Sequence, residues 1–323
     1  MNATFQSKHG GKEPRLRMVL VVPSYNEEDN VPLFVQTAAQ ELQAYDWQVL
    51  FVDDGSRDGT WEAVCRLADA DKRVHGLRFA RNFGHQNALK AGLLEAGRTN
   101  ADLYITLDAD LQHPLSLIPV MVGEWQKGAV SIVQAKRDDS NRDLSLFKKW
   151  TSRAFYGIFS WLSGIPMQPG MSDFRLIDRD CMEFLSSFDE QDFFLRGLLP
   201  WSGLKTAFIP YKPAERIHGQ SKFTLKKMGA LAMSGIVGYS TRPLYMALVV
   251  GLVSIMLACA YLCYVIVVVC MGGTVSLGWP SIISTILGLG GIQLFIMGIM
   301  GIYLGKLFME NKNRPTFVIE ERI

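Results

Sequence analysis

Residues 103–114 read LYITLDADLQHP and combine a predicted strand with a polar loop. Residues 103–107 are aliphatic, β-branched or aromatic, a composition typical of a buried strand in a parallel sheet. Asp108 and Asp110 follow where that strand is predicted to end, and Gln112 comes two residues later. Ligands of open α/β sheets bind beyond the carboxyl ends of the strands, and these oxygen donors suit Mg²⁺ or Mn²⁺. The alternative is that the acidic residues only cap a helix that starts at Pro114.

Three similar units precede this strand. Short apolar runs at residues 18–23, 49–52 and 74–79 are each followed by a polar loop and then by a segment of helical composition. Those segments predict helices over residues 30–44, over residues 61–70 and up to Ala96, and a fifth strand is expected over residues 130–135. This alternation predicts right-handed βαβ crossovers and a doubly wound, mainly parallel sheet with helices on both faces.

Composition limits the classes of protein. The chain has 323 residues, 49% of them hydrophobic, and a net charge of +2, which does not favour a nucleic-acid partner. Its five cysteines show neither a disulfide framework nor zinc-ligand spacing. Residues 1–16 lack the apolar run of a signal peptide, and we expect them to form a flexible leader.

The loops indicate what kind of ligand binds. Asp53 and Asp54 follow the second predicted strand, where a carboxylate can accept hydrogen bonds from a ribose hydroxyl or a base N–H. No G-x-G-x-x-G follows the first strand and no G-x-x-x-x-G-K-[ST] is present, so a dinucleotide oxidoreductase and a P-loop NTPase are poorly supported. The class that remains is a protein that binds a nucleotide through a divalent cation.

Six segments together resemble a known family. They are VPSYNEEDN, VDDGSRDGT, RNFGHQNAL, LDADLQHP, GMSDFRLIDR and RIHGQSKF. In this order and spacing they resemble the family 2 glycosyltransferases with the GT-A fold, and among these the polyisoprenyl-phosphate glycosyltransferases such as dolichol-phosphate mannose synthase and the bacterial undecaprenyl-phosphate glucosyltransferases. The resemblance covers residues 17–223, which we expect to form the catalytic domain.

The resemblance implies roles for individual residues. The implied nucleotide-binding residues are Pro23, Tyr25, Glu27, Asp53, Asp54 and Asp108. The implied metal ligands are Asp108, Asp110 and Gln112, and the implied catalytic residues are Asp110, Asp173 and Arg175. Asp173 has a second interpretation, as a structural partner of Arg175. His85 and His113 adjoin the motifs, and for both a structural role is the simpler prediction.

A lipid phosphate is the acceptor that the resemblance implies. Its oxygen is already anionic at neutral pH, so it needs cationic side chains more than it needs a general base. The candidates are Arg137, Lys148, Ser152, Arg153, Arg216, Ser221 and Lys222. Lys149, next to Lys148, is a further candidate. For each cation alone, a solvated surface charge is the alternative.

The end of the chain predicts a membrane anchor. Residues 224–242 have a loose apolar face with lysines and predict a helix lying in the membrane interface, or else a linker helix. Residues 243–305 then contain no Asp, Glu, Lys or Arg, which fits two transmembrane helices, over residues 244–271 and 281–305, within a segment 243–309. Residues 310–323 are expected to form a cytoplasmic tail.

Lysines and arginines before the first span and after the second predict, by the positive-inside rule, that the catalytic domain and both termini are cytoplasmic. Five glycines in the second span permit close helix packing, either in a homo-oligomer or within the hairpin. They are Gly288, Gly290, Gly291, Gly298 and Gly301.

The expected reaction is transfer of one sugar from a nucleotide sugar to polyprenyl phosphate, with inversion and with Mg²⁺ or Mn²⁺. Glucose from UDP-glucose is the leading prediction, and GDP-mannose or a modified UDP-pentose would use similar motifs. The alternatives are a processive polysaccharide synthase, whose usual Q-x-x-R-W signature is absent, and a non-catalytic membrane scaffold that binds nucleotide.

Overall fold

The structure, a computed structural model, describes residues 15–138, 157, 159–164, 170–188, 194–212, 235–238, 240–272 and 278–323. The strands are β1 Arg17–Ser24, β2 Asp46–Asp53, β3 Val74–Phe79, β4 Leu103–Thr106, β5 Ile132–Arg137, β6 Met171–Asp178, β7 Thr206–Tyr211 and β8 Ile319–Arg322. The helices of eight or more residues in the catalytic part, with one of seven, are α1 Asn30–Glu41, α2 Thr60–Ala70, α3 His85–Ala96, α4 Ile118–Gln126, α5 Arg179–Ser186 and α6 Leu195–Trp201. Two long helices follow, α7 Arg242–Cys270 and α8 Trp279–Asn311.

All eight strands form one sheet in the order β7-β5-β6-β4-β1-β2-β3-β8. The β1–β2, β1–β4, β2–β3 and β5–β7 pairs are parallel, whereas β6 and β8 run antiparallel to their neighbours. The expected fold class, a mixed and mainly parallel sheet with helices, is confirmed. Strand order reverses between β1 and β4, which makes a topological switch point there.

Alternation along the strands divides the core between the two faces of the sheet. On β1, Met18, Leu20 and Val22 pack with α1, α2 and α4, while Val19 and Val21 pack with α3, α5 and α6. Both faces of the sheet are therefore covered, and its central strands are buried.

The boundaries differ from the sequence predictions in a few places. Helix α1 ends at Glu41 rather than residue 44, and β5 runs to Arg137 rather than residue 135, so Arg137 belongs to the end of the strand. Helix α8 continues to Asn311, because the change from apolar to charged residues after Gly305 does not itself break a helix.

The C-terminal segment differs most from its predicted role. Residues 310–323 are expected to be a tail, but Ile319–Arg322 pairs with β3 as the edge strand of the catalytic sheet. Four residues of mixed polarity carry too little pattern to predict a strand.

Two helices are long and apolar enough to cross a membrane, over Arg242–Val268 and Gly288–Asn311. A Cβ added at Gly288, Gly290, Gly291, Gly298 or Gly301 of α8 would meet no described atom within 4 Å.

Candidate functional site

The candidate site lies at the carboxyl ends of β1, β2 and β4. The parallel register pairs Ser24 with Asp53 and Val21 with Thr106, so the three following loops start at the same edge of the sheet. The switch point between β1 and β4 opens at this edge, which is where α/β sheets bind ligands.

The loop after β4 folds back so that its first residue, Asp108, contacts His113. The backbone N–H of Asp108 donates to His113 Nδ1 over 3.0 Å, and the His113 ring stacks on Phe174 with centroids 5.2 Å apart. Leu111 has φ of 57° within this turn, and the backbone N–H of Gln112 donates to Asp110 Oδ1 over 3.2 Å. His113 is buried, which supports its predicted structural role. The turn leaves the Asp108 side chain 39% exposed.

The donor set of this loop fits a hard divalent cation. Asp108, Asp110 and Gln112 are all partly accessible and offer two carboxylates and an amide oxygen. Within the described ranges, no group of three or more His, Cys, Asp and Glu side chains is placed to hold a metal. An open set of this kind suits Mg²⁺ or Mn²⁺, which take their remaining ligands from phosphates and water.

The two carboxylates after β2 have different surroundings. Asp54 accepts the backbone N–H groups of Phe83, over 2.6 Å, and of Gly84, over 2.9 Å, and so it ties the β2 loop to the β3 loop. Asp53 accepts the backbone N–H of Ser56 over 3.0 Å and also its hydroxyl. Burial raises the pKa of both carboxyls. Both side chains are buried, so which of the two contacts a nucleotide stays a prediction.

The loop after β1 is fixed against the β2 loop. The backbone N–H of Glu27 donates to Thr60 Oγ1 over 2.8 Å, and Asn30 Nδ2 donates to Glu27 Oε2 over 2.6 Å. Pro23 is buried, whereas Tyr25 and Glu27 are half-buried. These contacts give Glu27 a structural function at the start of α1, in addition to the nucleotide contact that the sequence predicts.

Asp173 on β6 is surrounded by cations. Arg196 donates from Nε to Oδ1 over 3.0 Å and from Nη2 to Oδ2 over 2.8 Å. Arg175 Nη2 donates to Oδ1 over 3.0 Å, and His85 Nε2 lies 3.3 Å from Oδ2. Burial opposes ionisation, but Arg196, His85 and Arg175 together hold the pKa of Asp173 well below its usual range. Burial also lowers the pKa of Arg175 to about 10.

This network bears on the predictions for both Asp173 and His85. Asp173 is indeed a partner of Arg175, as its second interpretation held. His85, for which a structural role was predicted, is exposed. Its side chain is 43% exposed, and Nε2 lies 3.7 Å from Asp108 Oδ1 as well as 3.3 Å from Asp173, so it joins the β4 loop to the β6 network.

The sequence interpretation missed Arg196. Its one signal is a single cation within the apolar helix LRGLLPW of α6, which indicates a buried or paired charge. No motif of the family resemblance contains this residue, so its proximity to Asp173 emerges only from the fold.

Arg137 is the last residue of β5. Its backbone N–H donates to Gly170 O over 2.8 Å, where φ of 82° and a 2.6 Å approach of an added Cβ to Arg137 O require glycine. Burial raises the pKa of Tyr211, the charge of Arg137 lowers it, and Asp108 and Asp110 raise it.

The other predicted acceptor residues lie outside the described ranges. They are Lys148, Lys149, Ser152, Arg153, Arg216, Ser221 and Lys222. Their roles stay predictions.

Comparison with known proteins agrees with this geometry. A family model described as glycosyl transferase family 2 matches residues 19–184. The chain is 38% identical over 307 residues to the prophage bactoprenol glucosyl transferase homolog of Escherichia coli, covering 94% of this chain and 99% of that protein. It is also 38% identical over 308 residues to the bactoprenol glucosyl transferase of Shigella phage SfII, covering 95% of this chain and 98% of that protein.

Among solved structures, a mannosyltransferase from Pyrobaculum calidifontis, in complex with GDP-Man and Mn²⁺, aligns with a TM-score of 0.48 and 19% identity over 70% of this chain and 64% of that chain.

The mixed sheet, its acidic loops at the switch point and the family match together define a glycosyltransferase of the GT-A type. The chain belongs to glycosyl transferase family 2.

Proposed function

We propose that this enzyme transfers one glucose from UDP-glucose to a polyprenyl phosphate at the cytoplasmic face of a membrane. The observation that carries the proposal is the 38% identity, along nearly the whole chain, to proteins named for glucose transfer and bactoprenol. That match extends through both apolar helices, so it includes the anchor as well as the catalytic sheet.

Each part of the site has a task in this reaction. Asp108, Asp110 and Gln112 would hold a divalent cation, which supplies charge neutralisation for the departing nucleoside diphosphate. Asp53 or Asp54 would accept a hydrogen bond from the base or ribose of the donor, with Pro23 and Tyr25 at the neighbouring end of β1. Arg137 binds the acceptor phosphate through charge-assisted hydrogen bonds.

No side chain needs to act as a general base. The acceptor oxygen is anionic at neutral pH, and Asp173, whose pKa is held well below its usual range, is a poor proton acceptor. Asp173 instead orients Arg175 and Arg196 beside the β4 loop. Direct attack by the lipid phosphate then inverts the sugar, so an α-linked donor gives a β-linked product.

The sheet supports a cytoplasmic hairpin topology. Strand β8 follows α8 in the chain yet belongs to the same sheet as β1 to β7, all of which precede α7. If α7 and α8 both span the membrane, their outer ends must lie on one side. Arg242 at the start of α7, Lys306 near the end of α8, and Lys312 and Arg314 after it favour the cytoplasm as that side.

The experiment is a product assay with the purified full chain in detergent. It is given undecaprenyl phosphate, Mg²⁺ and, in separate reactions, UDP-glucose, GDP-mannose and a UDP-pentose. We expect a glycolipid with one sugar from UDP-glucose and a β-anomeric signal by proton NMR. A polymer would identify a processive synthase, no product from any donor would favour a scaffold, and an α-linked product would overturn the single displacement.

A further inference from the structure

A short helical segment between β5 and β6 carries an exposed tryptophan. Residues 159–163 are helical, and Phe159 and Ser163, one turn apart, are buried. Trp161, between them in the sequence, is 57% exposed. Because residues two apart on a helix point in nearly opposite directions, the segment packs one face on the protein and presents Trp161 on the other.

This segment lies at the edge of the sheet where the candidate site opens. Strand β6 is antiparallel to both β4 and β5, so β5 ends and β6 begins at the edge where β4 ends. A Cβ added at Gly235 would lie 3.0 Å from Phe159 Cζ and 3.7 Å from Phe194 Cε1, so Gly235 packs on both rings. Phe194 directly precedes α6, whose Arg196 binds Asp173 at that same edge.

Both apolar helices meet the catalytic domain beside Trp161. Arg242, the first residue of α7, donates from Nη1 to the carbonyl oxygen of Trp161. Tyr303, in the last third of α8, donates its hydroxyl to Ser240 O over 2.6 Å. Trp161 therefore lies next to the point from which the two helices leave the domain.

The described residues cover very little of either helix. In the most apolar window of each helix the buried share is 6% for α7 and 0% for α8, whereas a core helix of a soluble protein would be mostly buried. Apolar helices of this length fit a lipid surrounding, and Arg242 is the last charged residue before the uncharged residues 243–305. The hydrocarbon core of a bilayer would therefore begin close to Arg242.

Tryptophan suits the depth at which that core begins. The headgroup layer adds about 5 to 7 Å on each side of the hydrocarbon, which is comparable with the reach of an arginine or a tryptophan side chain. An indole has an apolar body and one polar N–H group, and tryptophans are enriched at this level of membrane proteins. Trp161 is exposed and is bonded through its backbone to the residue that marks this level.

We propose that Trp161 inserts into the headgroup layer of the bilayer and holds the edge of the catalytic domain that carries the candidate site against the lipid surface. The inference rests on the proposed reaction at a membrane, because it requires that α7 spans a bilayer. It adds to the two helices a third attachment, on the catalytic domain itself, and it orients the site toward a lipid acceptor.

Fluorescence quenching at defined depths tests the proposal, with the full chain in nanodiscs of phosphatidylethanolamine and phosphatidylglycerol. The difference between the native chain and Trp161→Phe isolates the emission of Trp161, and Trp161→Tyr serves the same subtraction if the first variant does not fold. We expect lipids brominated near the headgroup end of the acyl chain to remove most of this emission. Aqueous iodide, and lipids brominated near the chain terminus, should remove little of it.

Three results would overturn the proposal. Quenching of Trp161 by iodide without quenching by bromolipid would place the indole in water. Quenching by neither would mean that protein covers it. Stronger quenching by the deep bromines than by the shallow ones would place it in the hydrocarbon rather than in the headgroup layer.

Trp201 is the matched control. It is 62% exposed, but it ends α6 at the opposite edge of the sheet, just before β7 begins. Its emission, isolated with Trp201→Phe, should be quenched by iodide and not by bromolipid. Quenching of Trp201 by bromolipid would contradict the proposed orientation of the domain.

Trp279, the first residue of α8, reports on the hairpin itself. Its emission is isolated with Trp279→Phe in the same nanodiscs. If bromolipids quench Trp279 but not Trp161, the hairpin is in the bilayer and only the attachment through Trp161 fails. If they quench neither residue, the hairpin does not enter the bilayer, and the proposed reaction at a membrane fails with it.

Discussion

Arg196 donates two hydrogen bonds to Asp173, from Nε to one carboxylate oxygen over 3.0 Å and from Nη2 to the other over 2.8 Å. This fork geometry joins α6 to β6, two elements that are distant from the motifs of the first half of the chain. Arg175 and His85 complete the shell around the same carboxylate. The negative charge of Asp173 is compensated by these cations. The network therefore stabilises the side of the site that lies opposite the β1 and β2 loops.

Arg196→Ala should lower the free energy of unfolding by about 2 to 3 kcal/mol, because two charge-assisted hydrogen bonds to a buried carboxylate are lost while Arg175 and His85 retain part of its compensation. Arg196→Lys keeps the charge without the fork and should lose less. Chemical denaturation of the purified protein measures both. Arg98→Ala, which removes an exposed pair with Glu95, is the control and should stay within about 0.5 kcal/mol. Equal stability of the Arg196→Ala and Arg98→Ala variants would contradict the role of the network.

Asp173 predicts part of the acid sensitivity of the fold. Its pKa is depressed in the folded state, so its contribution to stability is present above the ordinary carboxyl pKa of about 3.9 and is lost as the pH falls through the lower folded value. Asp173→Asn should therefore be less stable than the native chain at pH 7, and the difference should shrink as the pH falls below about 4. Melting temperature against pH for both proteins measures this. A difference that stays constant down to pH 3 would show that ionisation of Asp173 contributes nothing.

Much of the fold was predictable because each unit carries a local pattern. Apolar runs followed by acidic or glycine-containing loops identified β1 to β4 and their helices, and the long uncharged segment identified α7 and α8. Strand β8 was not predictable, since its pairing with β3 depends on a contact between residues about 240 positions apart, as in the bond of Arg78 to Glu321. Sequence periodicity carries no information about such partners.

The residues of the candidate site also fall into two groups, those that the sequence predicts and those that only the fold brings together. Asp108, Asp110 and Gln112 are neighbours in sequence, so their shared loop could be inferred directly. His85, Arg78 and Arg196 act through residues on other elements, and only the fold brings them to Asp108, Asp53 and Asp173. The fold also shows what the sequence could not, that Asp53 and Asp54 are both buried and both accept backbone N–H groups.

Asp110→Asn should reduce turnover by orders of magnitude while leaving the melting temperature within a few degrees, because a neutral amide is a poorer ligand for a divalent cation than a carboxylate. Excess EDTA should have the same effect on the native enzyme, and Mg²⁺ or Mn²⁺ should reverse it. Asp102→Asn, at the start of β4 where Asp102 accepts the backbone N–H of Arg17, is the matched control and should keep its activity. Full activity of the native enzyme in EDTA would refute the metal assignment.

Arg137→Ala should raise the KM for polyprenyl phosphate by about ten- to a hundredfold and leave the affinity for UDP-glucose nearly unchanged. The residue ends β5, and loss of a charge-assisted hydrogen bond costs about 1.5 to 3 kcal/mol. The donor diphosphate is already neutralised by the proposed cation, so the uncompensated charge is that of the acceptor. Initial rates at varied lipid, with calorimetric titration of UDP-glucose, separate the two substrates. Arg179→Ala is the control, because that side chain donates to Asn100 O at the opposite end of β4. Parallel loss of donor binding and activity in the Arg137→Ala variant would move this arginine to the donor site.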